Sequence, residues 1–338
     1  MNKKRVLAML LAGAMALSMT ACGGNSASTD GSSNDGGASA SGGSYKVSVI
    51  LKTLAAEYWQ YVKSGAEDYA SEHSDKVTVE VKGPSSETAF DEMQNMIETD
   101  LSSGSYDGVI ISPLQSDTAA QLVSGTKLPI VAIDTNFTAP EVKSFVGTGN
   151  EAAAKKGGEA AVEAAKAAGW TDIKCIEIAG VQGDQTNTAR MNGYKAGVEE
   201  AGGIFLSDEV QYADATADRA TTAMEAIMQT HPEGIAIICA NNDDMAMAAA
   251  RAAQGHDAYK NTIFLGFNGD RAACEAILAG QMTMSVAQMA YEMGYKAVET
   301  MVQVLDGETV DEFVDSGSDV VTPDNAQERL DTLKTQLH

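Results

Sequence analysis

Short apolar runs rich in β-branched residues alternate along this chain with longer segments whose apolar positions recur at helical spacing. Four runs come first, "YKVSVIL" (45–51), "KVTVEV" (76–81), "DGVIIS" (107–112) and "PIVAID" (129–134). Four more come after them, "IKCIEIA" (173–179), "GIFLSDEVQ" (203–211), "GIAIICA" (234–240) and "TIFLGF" (262–267). Helical patterns occupy 86–101, 149–168, 187–201, 216–230, 242–254 and 291–306, with a terminal helix or tail over 323–338. Near-continuous apolar runs suit strands covered on both faces, and their alternation with helices predicts an α/β fold with parallel sheets. Two series of four strands in matching order predict two Rossmann-like doubly wound lobes rather than one large sheet. "MTMSVAQ" (282–288) is predicted, with the helix at 291–306, to return to the first lobe.

The helix after the first strand carries Tyr58, Tyr61, Val62, Gly65 and Tyr69 on one stripe, a spacing that predicts core. Trp59 stands about 100° from that stripe and is predicted to face a cleft beside the strand end.

The first 44 residues break this pattern. Lys3, Lys4 and Arg5 precede an apolar run from Val6 to Leu17, too short to span a bilayer and right for a secretory signal over 1–21. The run ends in "MTAC", which resembles the lipobox of bacterial lipoproteins and makes Cys22 the expected lipidation site. Residues 23–44 are Gly, Ser, Ala, Asn, Asp and Thr with no large apolar side chain. Such a segment cannot bury enough surface to order itself, and as a coil would reach about 25 Å, so 22–44 reads as a lipidated tether. The expected location is extracytoplasmic, anchored to the cell membrane.

The formal charge of the whole chain is −24; three basic and two acidic side chains before residue 45 leave −25 for the rest. Basic patches interleaved with aromatics are absent, which argues against a nucleic-acid partner. Besides Cys22 the cysteines are Cys175, Cys239 and Cys274, without CxxC or metal-type spacing. Aligning the two strand ends sets Cys175 and Cys239 about 10 Å apart along adjacent strands, too far for a disulfide, and all three read as reduced thiols. The four histidines are scattered, and no GxSxG, HExxH, P-loop or GxGxxG motif occurs. No enzyme activity, cofactor or metal is expected.

Ligands of open parallel sheets bind beyond the carboxyl ends of the strands. The residues at those ends are Lys52–Thr53, Ser112–Pro113, Asp134–Thr135–Asn136, Asn241–Asn242–Asp243 and Asn268–Gly269. Each alone suits an N-cap or a turn; their recurrence at one end of the sheets predicts a polar site. A polyol needs carboxylate, amide and guanidinium groups with a flat aromatic face. Asp134, Arg190, Asn242, Asn268 and Gln288 supply the former, Tyr58 and Trp59 the latter.

The ordered set "ILKTLAAEYW", "DGVIISP", "PIVAIDTN", "ARMNGYKAG", "CANNDDMAMAAARA", "FLGFNGD" and "VAQ" resembles the ribose-type (type I) periplasmic binding proteins, the sugar-capturing subunits of bacterial ABC importers. The resemblance implies two lobes joined by three crossovers, 45–147 plus 289–316 and 148–288 plus 317–338. Hinges are expected near Gly147–Thr148, near Gln288 and within 314–322. It also implies a monosaccharide or similar polyol between the lobes, ABC permease subunits as partners, and a monomer. The implied ligand contacts are Lys52, Tyr58, Trp59, Asp134, Thr135, Arg190, Asn242, Asn268 and Gln288. Four positions depart from the family. Ala56 replaces an Asn, Asn268 an Asp, Ala215 an aromatic for which Tyr212 could substitute, and Lys52 a small hydroxyl residue. A carboxylate lost and an ammonium gained would favour a more electron-rich ligand than ribose. The alternatives are a receptor for a furanosyl quorum signal, suggested by Lys52, Asp134 and "DQ" at 184–185, or a chemoreceptor-coupled sugar sensor. A sugar-responsive repressor, which shares the core, would carry a basic helix-turn-helix where this chain has a signal and a tether.

Overall fold

The computed structural model describes residues 44–337. In chain order its first elements are β1 (Tyr45–Ile50), α1 (Glu57–Glu72), β2 (Val77–Lys82), α2 (Phe90–Ser103), β3 (Gly108–Ile111), α3 (Ser116–Val123), β4 (Ile130–Ile133) and β5 (Val142–Gly147). Next come α4 (Asn150–Ala167), β6 (Lys174–Ala179), α5 (Gln185–Glu200), β7 (Ile204–Phe205), β8 (Gln211–Tyr212), α6 (Ala217–Thr230), β9 (Ile237–Ala240) and α7 (Asp243–Ala253). The last are β10 (Ile263–Asn268), α8 (Arg271–Leu278), β11 (Met284–Gln288), α9 (Ala290–Leu305), β12 (Phe313–Asp315), β13 (Ser318–Val321) and α10 (Ala326–Gln336).

They build two sheets, ordered β12-β5-β4-β3-β1-β2 and β13-β11-β10-β9-β6-β7, with β8 pairing to β6. All pairings are parallel except β11 with β13. The chain passes from the first sheet to the second after β5, back after β11, and across again between β12 and β13. Both faces of each sheet are covered, as the apolar runs require. In β3, Val109 and Ile111 pack among residues of α2 and α3, while Ile110 faces the cluster that includes α1 and α9. Cys175, Ile237 and Leu265 pack with Tyr194 and Val198 of α5 and Ala161 of α4. Ile176, Ile178 and Ile238 take the opposite face with α6 and α7. This alternation is the two-residue period of a strand.

Several expectations need correction. "GIFLSDEVQ" is not one strand but β7 and β8 separated by a 3-10 turn at Ser207–Glu209, where short polar side chains favour a turn over a ladder. "MTMSVAQ" contributes β11 to the second sheet, and only the helix after it packs on the first. Strands β5, β12 and β13 and helices α3 and α8 escaped the pattern because they are short or, as in "VKSFVG" and "SDVV", broken by polar residues. Cys175 pairs with Ile237 and Glu177 with Cys239, an offset of two residues rather than three. The thiols of Cys175 and Cys239 lie 3.3 Å apart, and both cysteines are free and buried. Cys22 and the segment 1–43 lie outside the described residues.

Candidate functional site

A cavity of about 390 Å³ opens where the carboxyl ends of both sheets meet. Eight of the nine predicted ligand contacts line it: Lys52, Tyr58, Trp59, Asp134, Arg190, Asn242, Asn268 and Gln288. The ninth, Thr135, does not. It is buried behind Asp134, donating its hydroxyl to Asp134 Oδ2 at 2.8 Å, and its Oγ1 lies 2.9 Å from Thr186 Oγ1 on α5.

Tyr58 is both core and site. It is buried on the predicted stripe, yet its hydroxyl donates to Asp134 Oδ1 at 2.8 Å. Burial, then Asp134, pushes the phenol well above its ordinary value, so it stays a donor. Trp59 is 3 % exposed rather than open to the cleft; only part of its ring reaches the wall, and its indole N–H donates to Glu87 Oε1 at 2.9 Å. The two rings stand edge to face, with centroids 4.9 Å apart and planes at 82°.

Arg190 is clamped by groups of the protein itself. Its Nε donates to Asn150 Oδ1 at 2.8 Å and its Nη1 to the Asn241 carbonyl at 2.9 Å. The guanidinium carbon lies 3.8 Å from the centroid of the Phe267 ring. Such clamping removes rotamer freedom that binding would otherwise have to remove. Asn242 caps α7, accepting from the Met245 N–H at 2.9 Å, and donates to the Ala215 carbonyl at 3.1 Å. Asn268 accepts from Gln288 Nε2 at 2.9 Å. Gln288 also lines the cavity, and its Oε1 is buried without a partner among the described residues.

Lys52 overturns the expected electrostatics. Its Nζ lies 2.9 Å from Asp184 Oδ2 and 3.9 Å from Asp134 Oδ2. Burial opposes the charged form, but Asp184, Asp134 and Glu87 outweigh it and raise the ammonium above its ordinary value. At Asp184, burial is likewise outweighed by Lys52 and the Asn187 N–H, and the carboxyl is held below the ordinary range. The ammonium is therefore neutralised inside the cleft and does not leave it electron-poor. Asp244 and Asp270 add carboxyl groups to the wall. Burial and then Asp243 push Asp270 well above its ordinary value, and burial pushes Asp243 up to about 6.

Sequence reasoning missed Glu87, Thr186, Asp214, Asp244 and Asp270 as wall residues. Asp270 lies two residues beyond Asn268 at the same strand end, so a wider strand-end window would have found it. Glu87 lies ahead of α2, far from the strand ends considered, and gave no signal. Tyr212 does not replace the missing aromatic: it is 42 % exposed and outside the wall, where Ala215 stands with φ of 59°.

A family profile described as "Periplasmic binding protein domain" matches residues 47–309. The D-allose-binding periplasmic protein of Escherichia coli is 30% identical over 264 residues, 75% of this chain and 82% of that protein. The ribose import binding protein RbsB of Escherichia coli is 28% identical, over 78% of this chain and 86% of that one. A carbohydrate transporter solute-binding protein from Agrobacterium radiobacter, solved in complex with D-arabinose, matches with a TM-score of 0.76. At 23% identity, over 87% of this chain and 99% of that one, this last is a likeness of fold. Profile, relatives and architecture agree, and the chain belongs to the periplasmic binding protein family.

Proposed function

We propose that this protein captures a monosaccharide between its two lobes outside the cytoplasm and delivers it to an ABC importer, as a ribose-type binding protein. One observation carries the reading most: an interlobe cavity of about 390 Å³ whose wall combines the clamped Arg190, the carboxylate of Asp134, the Gln288 amide and the Tyr58–Trp59 pair. That volume falls in the range of small-molecule sites, and those groups match hydroxyls that donate and accept. The D-allose and ribose binders among its relatives point to the same ligand class.

Strand membership supports lobes of 45–147 with 289–316 and of 148–288 with 317–338. The remaining parts of the proposal are the nine ligand contacts, among which Thr135 acts through Asp134, a monomeric state, and a lipid anchor at Cys22. Calorimetry with a panel of pentoses, hexoses, hexosamines and inositols tests the ligand class. Binding by amino acids, nucleosides or peptides alone would sink it. Palmitate labelling of wild type and Cys22→Ala tests the anchor, which fails if both label alike.

A further inference from the structure

Glu177 sits on β6 with no exposed surface, level with Cys239 of β9. It does not line the cavity, yet it belongs to the polar cluster that holds Arg190 from behind. Asn241 Nδ2 donates to Glu177 Oε1 at 3.5 Å and to the Asn187 carbonyl at 3.4 Å. Asn187 Oδ1 in turn accepts from the Gly180 N–H at 2.6 Å. The Asn241 carbonyl receives Arg190 Nη1. A Cβ at Gly180 would press on the amide oxygens of Asn187 and Asn241 at 3.2 and 3.3 Å, so nothing larger fits among these groups without displacing them. The end of β6, the first turn of α5 and the end of β9 thus meet behind Arg190, whose guanidinium is itself bonded by the Asn241 carbonyl and by Asn150 of α4. Glu177 is their innermost anchor, and its Oε2 has no partner among the described residues.

We propose that Glu177 is a positioning residue for ligand binding, whose buried carboxyl holds Asn241 and, through the Asn241 carbonyl, the guanidinium of Arg190. The inference rests on the sugar-binding role of Arg190 proposed above. Its physical basis is the setting. Burial pushes the Glu177 carboxyl up to about 8, against the opposing pull of Asn241 and Arg190. The groups acting on it are Arg190 and Tyr194 from α5 and Asn241 and Cys239 from β9. Burial drives the Tyr194 phenol and the Cys239 thiol well above their ordinary values, so neither gains charge near pH 8. An ionised Glu177 would draw the guanidinium inward, away from the cavity.

The test compares wild type, Glu177→Gln and Glu177→Leu at pH 7 and pH 9. Calorimetry uses the sugar that binds wild type most tightly in the panel, and NMR follows the Arg190 Nη1–H, the donor to the Asn241 carbonyl, in the proteins without added sugar. Wild type is expected to lose about tenfold in affinity at pH 9, one unit above the Glu177 value. Glu177→Gln, always neutral and the same shape, should bind within about threefold of wild type at pH 7 and show no alkaline loss. Glu177→Leu, which removes the acceptor, should bind about tenfold more weakly at both pH values and exchange its Arg190 Nη1–H faster. Wild-type affinity and an unchanged Arg190 signal in Glu177→Leu would overturn the proposal, and so would an alkaline loss retained in Glu177→Gln. If Glu177→Leu does not fold, the Glu177→Gln pH profile decides. If no sugar binds wild type, the ligand reading fails separately, and the Arg190 signal alone decides the positioning role.

Discussion

Asp134 holds a left-handed backbone, φ 63°, a conformation that Asn adopts at lower cost than Ala. Asp134→Asn therefore removes the charge without straining the turn, and it should raise the sugar Kd about ten- to a hundredfold with unchanged circular dichroism. Arg190→Ala should do the same by calorimetry; normal binding by both would discard this pair as the centre of the site. Lys52 calls for a different experiment, because its partner Asp184 belongs to the other lobe and both side chains are nearly buried. Breaking such a pair leaves an unmatched charge and costs about 3–5 kcal/mol, so Lys52→Met should melt well below wild type at pH 7. The sign of the pH effect comes from Asp184, whose carboxyl is held below the ordinary range. Its contribution is present above the unfolded carboxylate value and lost as pH falls through the folded one. The gap between the two melting curves should accordingly hold down to the ordinary carboxylate range and narrow below it; a gap that stays constant from pH 4 to pH 2 would mean the ion pair is not its cause. At this scale the sequence showed which residue types reach the cavity, because they stand just past strands. It did not show that Lys52 would be neutralised, since Asp184 is 132 positions away.

Helices α1 and α9 meet through reciprocal glycines. A Cβ at Gly65 would run into the Tyr291 carbonyl, and one at Gly294 into the Val62 carbonyl. The two backbones approach where no side chain intervenes, and the phenol of Tyr291 still donates to Asp68 at 2.8 Å. Gly65→Ala must push the helices apart; overpacking of this kind costs roughly 1–3 kcal/mol and should appear as a lower urea midpoint with little change in m. An unchanged midpoint would show that the interface relaxes freely. Elements with long, regular patterns were legible from sequence to within a few residues, β1 and α4 among them. Those defined by their neighbours were not. β12 owes its existence to β5, with Phe313 stacked on Phe145 at 5.4 Å, and its three residues carry no periodicity of their own. The same holds for the contact of Cys175 with Cys239, which depends on a register that side-chain order alone leaves ambiguous by one residue.

On the scale of the whole molecule, protein groups alone already join the lobes, through Lys52 with Asp184, Thr135 with Thr186 and Arg271 with Glu57. A sugar touching both lobes adds to this closed arrangement by its differential affinity for it. At a hundredfold excess over Kd it should stabilise the protein by about 2.7 kcal/mol, a melting shift of several degrees. On adding sugar, small-angle scattering should show only a small decrease in radius of gyration for wild type and a larger one for Lys52→Met, whose lobes are freed to open. Equal decreases would argue that the ion pair does not hold the lobes. The α1–α9 contact has a consequence in time as well as space. Helix α1 spans 57–72 and its cover 290–305, so a chain emerging from the ribosome exposes Val62, Ala66 and the underside of β1 until nearly all of it has been made. Contacts so distant in sequence form slowly, and the half-built first lobe is a natural client for holdases. That delay suits the extracytoplasmic role proposed above, in which the chain would cross a membrane before it folds.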